Sequence, residues 1–307
     1  MGDSIGVVIV TYNRLELLKK TIEKFENQKR LPDLMIIVDN ASTDGTHEFL
    51  DLWEKKENSL SKIIYHSPLN EGGSGGFWLG MEIALKQSID WIWLSDDDAY
   101  PEENALLNAA LFIEKHSDEN ISAICSQVIN NGKIDTVHRR NYIQNGFRTE
   151  SIRAEEGLYS EECFQINCFS YVGVIINKRK LKEAGPVLKE YFIRYDDTEH
   201  SLRLSKIGKI YCVPAIKVHH DVIGDENSIT WKTYYIYRNW INMIKRHFPW
   251  YCYLYYVYKL CKETIKIKFS HNRQVQYKLM KAAIHDGCCN RLGMHQVYKP
   301  GWKMESL

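Results

Sequence analysis

Three consecutive aspartates, Asp96, Asp97 and Asp98, follow directly after the apolar stretch Trp91-Ile92-Trp93-Leu94. Like charges at the rim of a buried strand repel one another unless a cation neutralises them. Carboxylate oxygens are good ligands for Mg²⁺ and Mn²⁺, and alternate residues of an extended chain face the same side. We therefore predict that Asp96 and Asp98 hold a divalent metal able to bridge a diphosphate. The alternative is a solvated acidic turn.

Polar or flexible residues also follow three other predicted strands, where a bland turn would be usual. These are Thr11-Tyr12-Asn13, Asp39 and Gly72-Gly73. In an open parallel sheet, ligands bind at the carboxyl ends of the strands. The coincidence predicts one ligand-binding edge, although the segment from Asp39 to Gly45, taken alone, fits a helix-capping loop equally well.

The glycine-rich segment Gly72-Gly73-Ser74-Gly75-Gly76 would let the backbone pass close to a ligand. It is not a dinucleotide-binding fingerprint, because Trp78 occupies the last required glycine position. It is not a phosphate-binding P-loop either, since no Gly-Lys-Ser/Thr follows. A flexible turn before a helix is the alternative to a ligand-binding loop.

Two later clusters also carry groups that could do chemistry. Asp196-Asp197-Thr198-Glu199 stands at the start of a predicted helix, where the helix dipole favours carboxylates. His219-His220 follows a short predicted strand, and a neutral imidazole is a good ligand for Mn²⁺. The alternatives are ordinary helix-start charge for the acidic cluster and a polar strand end for the histidines.

The elements that must position these residues alternate in the first half of the chain. Apolar, β-branched runs predict strands at residues 5–10, 34–38, 62–66 and 91–95, with helices between them. This order predicts an α/β fold with a parallel sheet. Residues 130–165 are polar and irregular, and we expect a loop or hairpin region over the site. From residue 229 a helical pattern continues to about residue 285. We therefore divide the chain into a catalytic domain, 1–230, and a helical C-terminal segment, 231–307.

Charge is segregated between these two parts. Residues 1–230 hold 26 Lys+Arg and 36 Asp+Glu, whereas residues 231–281 hold 11 Lys+Arg, a single acid (Glu263) and 14 of the 37 aromatic residues. The near-neutral total, and the lack of a recognition motif on the basic part, give no reason to expect a nucleic-acid partner.

The basic segment contains an amphipathic pattern. Leu254, Tyr258, Cys261 and Ile265 fall on one helical stripe, with lysines on its flank. A basic helix with aromatic residues suits an anionic membrane surface, but packing of the segment on the catalytic domain, with its lysines in water, is an equal alternative, and the two are compatible. The sequence shows no signal-peptide pattern, no apolar run of about 20 residues and no C-x-x-C pair among its eight cysteines. We expect a cytoplasmic protein with reduced thiols, and the membrane alternative would make it peripheral on the inner face of the cell membrane.

In this order, the motifs resemble those of the family 2 glycosyltransferases, which have the GT-A fold, a Rossmann-like mixed sheet with helices on both faces. The resemblance rests on Val7-Val8-Ile9-Val10-Thr11-Tyr12-Asn13, Val38-Asp39-Asn40-Ala41-Ser42-Thr43-Asp44-Gly45-Thr46 and the aspartate triplet. The stretch Asn70-Glu71-Gly72-Gly73-Ser74-Gly75-Gly76-Phe77 looks like the branch containing galactofuranosyl- and rhamnosyltransferases. The resemblance to the family continues through Tyr195-Asp196-Asp197-Thr198-Glu199, Pro214 to His220, and Tyr237-Arg238-Asn239.

The resemblance implies roles for the residues that bind the nucleotide-sugar and the metal. The predicted nucleotide-sugar contacts are Thr11, Tyr12, Asn13, Asp39, Gly72, Gly73, Asp96 and Asp97. Asp96 and Asp98 match the family's DxD motif, which holds Mn²⁺ or Mg²⁺. His220 is the expected third ligand, with the adjacent His219 left open as an alternative.

The resemblance also implies a reaction. Asp197 matches the catalytic base, which takes a proton from an acceptor hydroxyl as that hydroxyl displaces the nucleoside diphosphate with inversion. Asp196 and Glu199 are candidate acceptor contacts, and Glu199 could instead steady the helix start. We expect galactofuranose from UDP as the donor, then rhamnose from dTDP, and a glycan or lipid-linked glycan of the cell surface as the acceptor. A nucleotidyltransferase and a sugar-nucleotide-binding pseudoenzyme are the alternatives.

Overall fold

The computed structural model describes residues 2–57, 59–220, 229–269 and 273–303. The strands within these ranges are β1 Ile5–Thr11, β2 Leu34–Asp39, β3 Lys62–His66, β4 Trp91–Asp96, β5 Tyr100–Pro101, β6 Ile121–Asn130, β7 Lys133–Ile134, β8 Arg139–Asn145, β9 Arg148–Arg153, β10 Phe164–Ile166, β11 Cys168–Phe169, β12 Val174–Asn177 and β13 Lys209–His219. The α-helices are α1 Leu15–Glu26, α2 Thr46–Lys55, α3 Gly72–Leu85, α4 Ala105–Lys115, α5 Lys178–Ala184, α6 Asp196–Leu204, α7 Trp231–His247, α8 Trp250–Lys268 and α9 Gln274–Cys288.

The central sheet is mixed and mostly parallel, as the sequence predicts for an α/β fold. Its main path runs β10-β13-β6-β12-β4-β1-β2-β3. Strands β1 to β4 are parallel to one another, and β13 is parallel to β6. Strand β12 lies antiparallel between β4 and β6. A smaller sheet of β11, β8 and β9 lies apart from the central one.

Both faces of the central sheet are buried, which explains why its strands are continuous apolar runs instead of alternating ones. Ile9 and Trp93 point into one core, which α1, α2 and α4 cover. Val8 and Leu94 point into the other core, which α3 and α5 cover. The carboxyl ends of the strands are thus held between two rigid layers.

The structure differs from the sequence prediction at the glycine-rich segment and after the aspartate triplet. The glycine segment is not a loop before a helix, because α3 begins at Gly72 itself. Helix α4, which the sequence analysis did not identify, fills the interval after the aspartate triplet. Residues 130–165 contain a hairpin, one of the two predicted possibilities, since β8 and β9 pair antiparallel. The segment is polar in sequence because β9 is exposed and carries few apolar residues.

The C-terminal helical segment is three helices instead of one continuous pattern. Pro249 separates α7 from α8, because proline cannot continue a helix and restricts the residue before it. The three helices share a core with Phe192 of the preceding chain. The predicted boundary at residue 230 follows residues 221–228, which lie outside the described part of the chain. No helix in the described ranges is both long and apolar enough to cross a bilayer.

Candidate active site

The carboxyl ends of the four parallel strands align at one edge of the sheet. Thr11 pairs with Asp39, Asp39 with His66, and Val10 with Asp96. Ligands of α/β sheets bind beyond such ends. The structure therefore brings together the polar strand ends noted in the sequence. It adds His66, which the sequence analysis missed although it closes a predicted strand.

Asp96, Asp98 and His220 form a cluster at this edge. Each offers one ligand atom, and these atoms all lie within 4.8 Å of one another. The Nε2 atom of His220 is 3.3 Å from Oδ1 of Asp98. His219 points elsewhere, with its Nε2 3.0 Å from Oε1 of Glu102. Of the two adjacent histidines, it is thus His220 that faces the aspartates.

The residues of this cluster fit a divalent metal. Nδ1 of His220 is buried and has no hydrogen-bond partner among the described residues, and the buried Oδ1 of Asp98 has the imidazole of His220 as its ion-pair neighbour. Buried polar atoms without partners are uncommon and call for an explanation such as an ion. Carboxylate oxygens with one imidazole nitrogen form a donor set that Mn²⁺ accepts readily and that Mg²⁺ also tolerates.

Arg14 supplies a positive charge next to the triplet. Its Nη1 lies 2.6 Å from Oδ2 of Asp98 and 3.2 Å from Oδ1 of Asp97. No role was predicted for Arg14 from the sequence, although Arg14 directly follows the polar residues Thr11-Tyr12-Asn13. The guanidinium partly neutralises carboxylates that would otherwise repel one another.

The three carboxyls respond differently to their surroundings. Burial and the charges of its neighbours raise the pKa of Asp96 well above its usual value. Burial raises the pKa of Asp97 to about 6, against the opposing effect of Arg14. Burial would also raise the pKa of Asp98, but the hydrogen bond and charge of His220, together with Arg14, lower it overall. A bound dication would favour the ionised form of all three.

Thr11 and Asp97 are joined to each other. The Thr11 hydroxyl donates to Oδ2 of Asp97 at 2.8 Å, and Thr21 of α1 donates to the main-chain oxygen of Asp97 at 2.7 Å. Both Thr11 and Asp97 are almost fully buried. These bonds fix the turn that presents Asp96 and Asp98, while a nucleotide contact for Thr11 or Asp97 stays a prediction.

The end of β2 carries a second polar cluster. Oδ2 of Asp39 is 3.0 Å from Nδ1 of His66, and Nε2 of that imidazole is 3.2 Å from Oδ1 of Asp51 on α2. The ring of His47 stacks on His66 with centroids 3.6 Å apart. Asp39 itself is buried, and its Oδ1 accepts from the backbone N–H of Ser42. The predicted nucleotide contact is therefore held in one orientation.

Asn13 and Tyr12 lie at the rim of the same edge. Asn13 has a left-handed backbone (φ 52°), and its side-chain oxygen accepts from the backbone N–H of Thr43 at 2.6 Å. This contact ties the β1 end to the loop after β2. Tyr12 is exposed beside it, so its ring is accessible to a ligand.

The surroundings of Gly72 explain why one position of the glycine-rich segment requires glycine. It has a left-handed backbone (φ 73°), and a Cβ placed there would come 2.0 Å from the carbonyl oxygen of Phe192. Asn40 donates to the carbonyl of Gly72 at 2.9 Å. A Cβ at Gly73, in contrast, would meet nothing within 4 Å. The start of α3 thus lies between the end of β2 and the segment that precedes Asp196 and Asp197.

Asp196 and Asp197 open α6 beside the start of α3. Asp196 is buried, and burial together with the charge of Asp197 raises its pKa to about 7. Asp197 is only partly buried, and its Oδ1 accepts from the backbone N–H and the hydroxyl of Thr198. Arg140 of β8 donates to that hydroxyl at 3.3 Å. Of the two carboxylates, Asp197 is therefore the more accessible.

Glu199 is turned away from this opening. Its Oε2 is 2.9 Å from Nε of Arg203, and its Oε1 is 3.1 Å from Nε2 of His247 on α7. The residue is 1% exposed. These contacts favour the alternative in which Glu199 steadies the helix start over a contact with the acceptor.

Residues of α7 hold the segment before Asp196. The side-chain amide of Asn239 donates to the carbonyls of Tyr191, Ile193 and Arg194 at 2.8–3.0 Å. Arg238 donates to the carbonyl of Tyr191 as well. Tyr237-Arg238-Asn239 is part of the family resemblance, but no role was predicted for it. Its signal was two polar residues in the middle of a helix with an apolar face.

Comparisons with known proteins agree with this geometry. The model of Glycosyl transferase family 2 matches residues 6–184. Galactofuranosyltransferase GlfT1 of Mycobacterium tuberculosis is 30% identical over 222 residues, which cover 71% of each chain. The O-antigen chain rhamnosyltransferase WbaN of Salmonella anatum is 24% identical over 225 residues, covering 70% of this chain and 66% of that one.

Among solved structures, GalNAc-T7 with UDP, GalNAc and Mn²⁺ superimposes with a TM-score of 0.65 at 16% identity. The match covers 92% of this chain and 54% of that one, so the present chain spans about half the length of this structural relative. At 16% identity, this structural similarity shows a shared fold and nothing about the substrate.

A mixed α/β sheet with an aspartate triplet at its carboxyl edge, matched over this length, defines a glycosyltransferase of the GT-A fold. The chain belongs to glycosyltransferase family 2, and it is an enzyme of the hexosyltransferase type. The resemblance stated from the sequence, including its galactofuranosyl- and rhamnosyltransferase branch, is confirmed. Family membership decides against the nucleotidyltransferase alternative.

Proposed function

We propose that the enzyme transfers galactofuranose from UDP-galactofuranose to a hydroxyl of a cell-surface glycan, with inversion and with the help of a divalent metal. The observation that carries the proposal is the convergence of Asp96, Asp98 and His220 at the strand edge that also presents Asp39. Acidic and imidazole ligands there suit an ion that binds a diphosphate. Rhamnose from dTDP is the second candidate donor.

The relatives favour galactofuranose over rhamnose. The galactofuranosyltransferase of Mycobacterium tuberculosis is 30% identical to this chain, and the rhamnosyltransferase of Salmonella anatum is 24% identical, over similar lengths. This difference supports an order of preference between donors.

Different groups of residues at this strand edge would bind the nucleoside, the sugar and the metal. Asp39, with Tyr12, Asn13 and Thr11 around it, would hold the nucleoside, and Gly72 and Gly73 would lie near the sugar. Asp96, Asp98 and His220 would hold Mn²⁺ or Mg²⁺. When bound, such an ion stabilises negative charge on the departing diphosphate. Thr11 and Arg14 bond to Asp97, and Arg14 also partly neutralises the charge of Asp98.

Asp197 would act as the base. Its carboxylate is accessible at the start of α6, where the helix dipole favours negative charge. It accepts the proton of the acceptor hydroxyl while the oxygen attacks the anomeric carbon, and the diphosphate leaves on the opposite face. Asp196, more deeply buried beside it, would shape the acceptor pocket.

The acceptor would be a glycan or a lipid-linked glycan, and the enzyme would work in the cytoplasm at the inner surface of the membrane. The basic, aromatic C-terminal part of the chain supports this location, because anionic lipids attract clustered lysines.

A donor panel tests the proposal. The protein is incubated with UDP-galactofuranose, dTDP-rhamnose or UDP-galactose, each with Mn²⁺ and with a chelator, and release of the nucleotide is measured. We expect release from UDP-galactofuranose alone, and only with the metal. Preferential use of dTDP-rhamnose would select the second candidate, and turnover unchanged in the chelator would remove the metal from the mechanism.

A further inference from the structure

The outward face of helix α8 is apolar. Five apolar side chains on this helix or directly after it are between 51% (Leu254) and 80% (Phe269) exposed. These residues, called here the α8 ridge, are Trp250, Leu254, Tyr258, Ile265 and Phe269. They recur at intervals of four or seven residues, or about one and two helical turns, so they form one stripe about 28 Å long. Scattered exposed apolar residues are ordinary, whereas an aligned row of this length marks an interaction surface.

The ridge is not the face by which α8 packs on the protein. That opposite face is buried and consists of Cys252, Tyr256, Leu260 and Thr264. The predicted alternative, packing of the segment on the catalytic part, holds for the buried face of α8, which contacts Tyr142 of β8. The residues of the predicted stripe, Leu254, Tyr258, Cys261 and Ile265, are all exposed.

The tip of the β8–β9 hairpin extends the ridge at its first turn. Phe147 is 63% exposed, and its ring lies 5.5 Å from that of Tyr251. The Tyr256 hydroxyl accepts from the backbone N–H of Thr149 at 2.8 Å and donates to its carbonyl at 2.9 Å. Hairpin and helix therefore form one fixed surface.

Positive charge borders this surface. Lys259, Lys262, Lys266 and Lys268 are exposed on α8, against Glu263 as the single acid of the helix. Two copies of such a face would bring their lysines together, and like charges would oppose that pairing. An anionic partner satisfies both the apolar stripe and its cationic border.

We infer that the α8 ridge and the hairpin tip dock on the surface of a bilayer that contains anionic lipids. Tryptophan, tyrosine and phenylalanine side chains insert at the level of the headgroups, and the lysines contact anionic headgroups beside them. The helix then lies parallel to the membrane plane.

A single β-strand connects this surface to the proposed active site. The β8 strand starts near Arg140, which donates to Thr198 beside Asp197, and it leads to the hairpin tip at Phe147. Seven residues of extended chain span about 23 Å. On the proposed function, a lipid-linked acceptor held in the same bilayer would reach Asp197 along the hairpin.

Vesicle binding by the full chain tests the inference. The protein is sedimented with vesicles of phosphatidylglycerol and phosphatidylcholine, or of phosphatidylcholine alone. We expect binding to the anionic vesicles and at least about tenfold weaker binding to the neutral ones. Lys259→Glu with Lys262→Glu and Lys266→Glu should weaken anionic binding roughly a hundredfold. Leu254→Gln with Tyr258→Gln and Ile265→Gln should abolish it.

Control variants elsewhere on the surface show whether a change in vesicle binding is specific to the α8 ridge. Leu52→Gln with Leu111→Gln removes exposed apolar residues on α2 and α4, and Lys24→Glu with Lys86→Glu reverses exposed charges elsewhere. Both should bind vesicles like the unmodified chain. Equal binding of the ridge variants, or equal binding to neutral vesicles, would overturn the inference. So would a dimer in sedimentation that the ridge variants dissociate.

Nucleotide release from the sugar donor in the absence of vesicles is measured on every variant. The ridge lies away from the strand edge, so this activity should be unchanged. A protein that binds vesicles and releases no nucleotide would refute the proposed function but not the membrane surface, and the reverse result would do the opposite.

Discussion

The side-chain amide of Asn239 donates to the carbonyl oxygen of Arg194 at 2.8 Å, three residues before the proposed base Asp197. Phe192, Arg194 and Tyr195 all have left-handed backbones, with φ from 63° to 68°. Such conformations cost about 1–3 kcal/mol each and persist only where the surroundings impose them. A helix from the C-terminal part of the chain thus helps to determine the position of Asp197, the proposed base.

Asn239→Ala should therefore lower kcat more than it changes donor KM. The variant removes the side-chain donor to the carbonyls of Ile193 and Arg194, whereas the carbonyl of Tyr191 keeps its bond from Arg238. Each buried group left unsatisfied costs about 1–3 kcal/mol. We expect a kcat at least about tenfold lower, since a displaced base loses much of its contribution. Steady-state kinetics with thermal unfolding in parallel measures both effects.

Asn242→Ala is the matched control. Asn242 is also buried on α7, but it bonds to the side chains of Tyr191, Arg246 and Asn290 and to no carbonyl before Asp196. It should lose stability without a comparable loss of kcat. Equal losses of kcat in both variants would mean that α7 acts only through global stability.

Asp197→Asn should remove transfer and spare nucleotide binding. An amide cannot accept the proton of the acceptor hydroxyl, and general-base catalysis contributes about 10²- to 10⁴-fold. Binding of UDP with Mn²⁺, measured by calorimetry, should stay within about twofold of the unmodified protein. Weakened UDP binding with transfer intact would contradict the role of Asp197.

Gly72→Ala and Gly73→Ala should differ sharply despite being neighbours. At Gly72 a Cβ overlaps the carbonyl oxygen of Phe192 at 2.0 Å on a left-handed backbone, so we expect more than about 2 kcal/mol of lost stability. At Gly73 a Cβ meets nothing within 4 Å, and alanine favours helix, so stability should hold or rise. Chemical denaturation measures the difference.

The Gly73→Ala variant also tests the donor contact predicted there. If the sugar-nucleotide approaches this backbone, the added methyl group weakens donor binding in a protein of full stability. Unchanged donor KM would place the donor elsewhere.

The sequence predicted the alignment of strand ends because buried parallel strands are distinctive runs, and polar residues directly after them stand out. Asp39 and Asp96 were found in this way, whereas the acidic start of α6 was found from its place at a predicted helix start and from the family resemblance. Pairings distant in sequence could not be read from such runs. Nothing local in the sequence shows that His220 and not His219 turns toward Asp98, since that choice depends on the pairing of β13 with β5.

The glycine segment shows a different limit of sequence patterns. Consecutive glycines normally disfavour a helix by about 1 kcal/mol each, so a loop was the reasonable prediction. The helix forms because α3 packs tightly on the sheet, where a Cβ at Gly76 would come 2.4 Å from Val10 and one at Gly80 2.3 Å from Val8. Tertiary packing overrides local propensity here.

Arg14→Gln should increase the affinity for Mn²⁺ severalfold. The guanidinium bonds to Asp97 and Asp98 and repels a cation that binds the same carboxylates. The metal-free variant should be less stable, because its aspartates lose their counter-charge. Arg30→Gln, which removes the same charge beside Asp33 ahead of β2, is the control for calorimetric Mn²⁺ titrations. Weaker Mn²⁺ binding by Arg14→Gln would instead show that Arg14 organises the metal ligands.

The buried carboxyl of Asp196 should make stability depend on pH. Its pKa is about 7 in the folded protein, raised chiefly by burial and by the charge of Asp197, against about 3.9 in an unfolded chain. Between these values the folded state binds more protons than the unfolded state, so this group lowers stability as pH rises from about 4 to 7. The cost at pH 8 is on the order of 4 kcal/mol.

Asp196→Asn removes that cost, since an amide is neutral at every pH. The melting temperature of the variant should therefore exceed that of the unmodified protein at pH 8, and the gap should close as the pH falls toward 4.5. Scanning calorimetry across this range, with Asp118→Asn at an exposed position as the control, follows the gap directly. A gap that is the same at both ends of the range would mean that Asp196 carries its charge in the folded protein at no cost, as it would if a cation in the acceptor pocket paired with it.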